Sequence, residues 1–148
     1  MAEPTEVDFF IVKLGDGAEP EVFTILCGIE DVTVNESVES NNRFVPDCAK
    51  PGATPFRKVR VTGQMLEVQG SGLTNVAEAA RFRGALGKSK NYLIEGYRRD
   101  GTDAGELLIT YEGAFVLTTK NMNVARNGDS TGDMTLLNDG PYTETVEA

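Results

Sequence analysis

The sequence predicts a mainly β protein: a β-sandwich or partly rolled barrel with one flanking α-helix and a long extended arm between two strands. Three observations carry this. Short runs alternate apolar and polar residues with period two, 16 glycines and 6 prolines supply the turns, and a single segment has helical periodicity. At 148 residues the chain is read as one domain, 1–148, long enough to bury a core without disulfides or a metal.

The first two elements are VDFFIVKL and EVFTILCG, apolar runs joined by GDGAEP, whose Gly, Asp and Pro suit a hairpin connection. Phe9, Ile11, Phe23 and Ile25 are expected to be buried, with Cys27 in the second strand. DVTVNESV follows, with Val32, Val34 and Val38 alternating against polar residues, the pattern of a strand with one covered face. RKVRVTGQM repeats the pattern through Val59 and Val61.

Between these strands lies a polar segment over 39–56, punctuated by Pro46, Pro51 and Pro55. It exceeds the usual connection of about 4–6 residues, and structureless loops beyond about 12–15 residues tend to be functional or disordered. We therefore expect it to touch another molecule. Phe44 and Phe56 are either anchors for a neighbour or side chains folded back on their own core.

The helix is expected over 74–87, from TNVAEAARFRGALGKSK. Thr74 or Asn75 can cap it, Glu78 suits its first turn, and Gly87 ends it. Leu73, Val76, Ala80 and Gly84 form the expected apolar stripe, with Glu78 on the opposite side. KNYLIEGY and GELLITYEGAFVLTTKNMNV then read as strands joined at Asp100-Gly101, with a bulge signalled by Glu112-Gly113. RNGDSTGD turns into a last strand, MTLLNDG, followed by a short polar tail.

The formal net charge of -9 opposes phosphate binding through a basic face, while a like-charged wall lets a duplex slide past without sticking. No apolar run reaches the roughly 18 residues of a membrane-spanning helix, and MAEPTEVD lacks the marks of a secretory signal, so the chain is expected to be made in the cytosol. Its two cysteines suggest free thiols.

The chain has no histidine, which removes the commonest general base and metal ligand, and with them Ser-His-Asp and Cys-His chemistry. No CxxC, P-loop or dinucleotide-binding glycine motif is present. Asn127-x-Asp129-x-Thr131-Gly132 resembles the first half of a calcium loop, but Asn138 stands where the bidentate Glu would fall, so a plain turn is the reading preferred. Arg98-Arg99 reads as a solvated hairpin tip rather than an anion clamp. Tyr92, Tyr97, Tyr111 and Tyr142 are read as core or cross-strand residues. No catalytic, cofactor-binding or metal-ligating residue is assigned, and no enzyme activity is expected.

The succession of a β-hairpin, DVTVNESV, the long arm, RKVRVTGQ, the helix TNVAEAARFRGALGK, the hairpin from KNYLIEGY to GELLITYEGAFV, and the closing TGDMTLLNDGPYT resembles phage major tail proteins, the tail tube subunits of long non-contractile tails. The resemblance spans residues 22 to 142. It implies a structural virion protein, made in the host cytoplasm and located in the virion tail, whose copies close into rings of six. The rings stack into a hollow tube that conducts phage DNA as transient cargo.

Its implied partners are further copies of itself and the tape measure, tail terminator and tail-tip proteins, with no membrane and no cofactor. The arm matches the family loop that reaches an adjacent subunit or ring, which makes Asn41, Arg43, Phe44, Pro46, Asp47 and Phe56 the candidate intersubunit residues. Two alternatives stay open: a tube subunit of a type VI secretion system or contractile tail, and a small monomeric β-sandwich ligand-binding module.

Overall fold

The computed structural model describes residues 5–73 and 75–147. It contains β1 (Phe9–Gly15), β2 (Phe23–Ile25), β3 (Ile29–Val45), β4 (Phe56–Leu73), a 3-10 turn (Val76–Glu78), α1 (Ala79–Ala85), β5 (Ser89–Arg98), β6 (Glu106–Val124) and β7 (Ser130–Val146). The strands form one seven-stranded sheet in the order β2-β1-β5-β6-β7-β4-β3, with every neighbouring pair antiparallel. The sheet rolls onto one face, where Val12, Leu66, Val68, Tyr92, Ile94, Phe115, Leu117 and Leu136 form the core. The partly rolled barrel is thus the form adopted.

Tyr92 meets Phe115 edge-on at 6.1 Å between ring centroids, at the centre of this core. Burial of the Tyr92 hydroxyl pushes its pKa up to about 12. Tyr97, another of the four tyrosines expected in core or cross-strand positions, stacks on Phe9 at 5.4 Å.

The first hairpin buries the opposite parity from that expected. Val12 and Leu26 enter the core, Phe9, Ile11 and Phe23 are half-buried, and Ile25 and Cys27 are exposed. VDFFIVKL is apolar on both faces, so alternation alone does not choose between them. On the outer face, the Lys13 ammonium lies 2.5 Å from Glu95 Oε1. Tyr97 donates its hydroxyl to Glu95 Oε2 at 3.0 Å. Glu95 is only 6% exposed.

The helix is shorter than expected and is rotated. Asn75 caps it, its Oδ1 accepting from the Ala77 amide at 3.1 Å, whereas Thr74 lies outside the described residues. The first turn is 3-10 and only Ala79–Ala85 is α-helical. Phe82 and Ala85 face the core, and Glu78 is buried, accepting from Arg81 at 3.1 Å. The expected stripe of Leu73, Val76, Ala80 and Gly84 is exposed instead. Leu73 belongs to β4, so a helical phase counted from it is wrong, and the tighter first turn shifts the phase again.

β7 also runs past its expected end, so the polar tail is strand as far as Val146. The ladder to β6 jumps from Gly113↔Tyr142 to Phe115↔Asn138. The signalled bulge is therefore taken up on β7 across residues 139–141, where Pro141 needs no ladder donor and Gly140 adopts φ 106°.

Candidate assembly surface

β3 and β4 part from the rest of the sheet midway along their length. β7 pairs with β4 only over residues 67–73, yet β3 and β4 stay paired out to Val45 and Phe56. At about 3.3 Å per residue, the ribbon over residues 37–45, which has no ladder to β7, is roughly 30 Å long. The expected arm over 39–56 is therefore not a loop along its whole length. Its flanks are strand, and only residues 46–55 form the tip. The polar side chains that made it read as loop are simply those of a strand with water on both faces.

Two-stranded ribbons are marginal alone, and this one is fastened at its root. The Leu66 amide donates to Asn138 Oδ1 at 2.9 Å. Gln64 donates to the Tyr142 hydroxyl at 2.9 Å, and that hydroxyl donates to Glu36. At the tip, Asp47 holds a turn by accepting from the Ala49 amide at 2.9 Å.

All six candidate residues are exposed. Asn41, Arg43 and Phe44 lie on β3, Phe56 opens β4, and Pro46 and Asp47 belong to the tip. Phe44 is 69% and Phe56 85% exposed, so neither folds back on its own core. Paired residues share a face of the ribbon. One face thus carries Asn41 with Arg60, Arg43 with Lys58 and Val45 with Phe56; the other carries Asn42 with Val59 and Phe44 with Arg57.

Residues 43–60 hold five cationic side chains against the single carboxylate of Asp47, in a chain of net charge -9. Arg43 directly opposite Lys58 is a repulsive pairing. Among the described residues the ion pairs are Lys13–Glu95, Arg81–Glu78 and Arg98–Glu106, and none of them involves the ribbon. Read from sequence, Lys58 and Arg60 are only the polar side of a strand; a charge count by segment singles them out.

The other candidate motifs are taken up by structure. Arg98 pairs with Glu106, and the Arg99 guanidinium lies 5.4 Å over the Phe9 ring. Thr131 and Gly132 of the calcium-like segment sit in the β6–β7 ladder opposite Asn123 and Met122. Among the described residues, no group of three or more acidic or Cys side chains could hold a metal ion, and no helix is long and apolar enough to cross a membrane.

No protein-family model and no curated protein matches the sequence. Solved structures match along nearly the whole chain. The tail of an empty gene transfer agent particle, refined helically with C6 symmetry, aligns at TM-score 0.65 and 14% identity, over 93% of this chain and 96% of that one. The sheath/tube terminator of an extracellular contractile injection system, PVC, in its extended state aligns at TM-score 0.66 and 16% identity, over 99% of each chain. The SPP1 tail tube aligns at TM-score 0.60 and 10% identity, over 94% of this chain and 76% of that one. The fold expected from the resemblance to phage tail tube proteins is the fold observed.

Proposed function

We propose that this chain is a structural virion protein, the major tail tube subunit of a long non-contractile tail. Its copies close into rings of six and stack into a hollow tube through which phage DNA passes, and it acts with tape measure, terminator and tail-tip proteins instead of catalysing a reaction. The reading rests on the shared fold and on one observation above all: β3, 17 residues long, is an outer edge of the sheet and carries the ribbon. A protein that remains monomeric shortens, covers or kinks so long an edge, because its free backbone groups template pairing with another chain.

The ribbon carries Val38, Phe44, Val45, Phe56, Val59, Val61 and Met65 as exposed large apolar side chains. Each is worth about 1.5–3 kcal/mol when fully buried, before the ordering cost of association. A heterologous contact that closes by rotation makes a ring, and one that repeats by translation makes a filament. The acidic balance of the body suits a channel that conducts DNA without holding it.

Analytical ultracentrifugation over a concentration series tests this reading. Large polymers above a threshold concentration are expected; a monomer at every concentration, seeded or not, overturns it in favour of a ligand-binding module. A second reading, the tube of a contractile device, is favoured by the equally good superposition on the injection-system terminator at TM-score 0.66. A sheath gene beside this one would select it.

A further inference from the structure

The two ends of the β3–β4 ladder are chemically complementary. At the end away from the ribbon tip, Ile29 pairs with Gly72, and there a small solvent-open apolar cleft of about 50 Å³ lies between the ladder, α1 and the ends of β6 and β7. Ile29, Leu73, Phe82, Met122 and Met134 supply its apolar wall. An adjoining groove shares Leu73, Asn121 and Asp133 with it and adds Glu30 and Asp31. Among the described residues, Glu30, Asp31 and Asp133 take part in no ion pair. The one lysine on the wall, Lys120, lies 5.0 Å over the Phe82 ring.

Resting on the assembly reading above, we infer that this cleft is the socket for the ribbon of a second copy of the chain. Phe56 enters the apolar part, while Arg43, Lys58 and Arg60, on the same face as Phe56, meet Glu30, Asp31 and Asp133 on the rim. An exposed aromatic flanked by unneutralised cations matches an apolar cleft flanked by unneutralised carboxylates. The partner's carboxylates also relieve the repulsion between Arg43 and Lys58. Tip and socket stand at opposite ends of one ladder spanning residues 29–45, so copies aligned in parallel repeat the contact from one to the next. The contact propagates head to tail and sets the stacking direction.

The two cysteines of the chain report on this contact without mutation: Cys48 lies in the tip and Cys27 lines the cleft. Bis-maleimides of graded length added to assembled wild-type protein should give covalent ladders, with Cys48 of one copy joined to Cys27 of the next by peptide mapping. Cys27→Ser and Cys48→Ser should each abolish them. In parallel, Lys58→Glu with Arg60→Glu should raise the threshold concentration for assembly by roughly tenfold or more at low salt. Adding Glu30→Lys and Asp31→Lys to the same chain should lower it again, each variant being checked for an unchanged melt. Polymers that form without the Cys48–Cys27 link, with no recovery in the charge swap, overturn the socket and leave the assembly reading standing. Wild-type protein that never polymerises overturns both.

Discussion

The hydroxyl of Tyr142 donates to the carboxylate of Glu36 while accepting from the Gln64 amide, so a residue of β7 clasps both strands of the ribbon at its root. Tyr142→Phe removes both bonds. We expect the variant to fold with a stability loss of about 1 kcal/mol. Hydrogen exchange should accelerate over residues 37–45 and 56–65 and remain unchanged in β5 and β6. Unchanged exchange in the ribbon would show that the clasp does not hold it.

Phe44→Ala tests whether the ribbon aromatics serve assembly. Because Phe44 is 69% exposed in the monomer, the melting temperature should stay within a degree or two of wild type, as expected for a surface change of less than about 0.5 kcal/mol. Assembly followed by pelleting should fall sharply. Normal assembly would remove Phe44 from the interface.

The Lys13–Glu95 pair holds a carboxylate that is only 6% exposed. Lys13→Met should destabilise by up to about 3 kcal/mol, since it leaves that charge without its partner, and adding Glu95→Gln should recover most of the loss. Chemical denaturation of the two variants gives both values. A silent Lys13→Met would mean that water or Tyr97 suffices for Glu95.

Alkaline unfolding should follow the buried phenols. Burial raises Tyr92 to about 12, and burial followed by the hydrogen bond to Glu95 does the same for Tyr97, from an ordinary value of about 10. A raised folded pKa means that the unfolded chain loses its proton first. The stability involved is therefore intact below pH about 10 and is lost as pH climbs from about 10 to about 12. Tyr92→Phe should flatten the loss over that window, as read by denaturant midpoints at each pH.

A Cβ on Gly72 would lie 2.0 Å from the Gly28 carbonyl oxygen and 2.8 Å from the Glu30 amide nitrogen, both rigid backbone. Gly72→Ala should therefore cost about 1–3 kcal/mol and loosen the start of the β3–β4 ladder. Thermal melts measure the loss, and an unshifted melt would mean that the backbone yields there without strain.

The strands with one covered face were legible, as KNYLIEGY in β5 and the run from Glu106 to Val124 in β6 illustrate. Period-two alternation is strong when water lies on one side only. It fails in two opposite situations seen here. In β1 both faces are apolar, so Val12 and Phe9 cannot be ranked; in the ribbon both faces meet water, so residues 39–45 resemble a loop. The helix phase failed because a neighbouring strand residue, Leu73, was counted into it. Of the candidate surface, the exposure of the six arm residues was legible from length and composition, whereas the cleft was not. It is made by residues from β3, β4, α1, β6 and β7 that meet only once the sheet has rolled.

Electron microscopy of the concentrated, negatively stained protein tests the central claim most directly. The account predicts hollow filaments or six-membered rings of uniform diameter, with a regular axial repeat in the filaments. Monodisperse single subunits at every concentration, including after seeding with tube fragments, would contradict it.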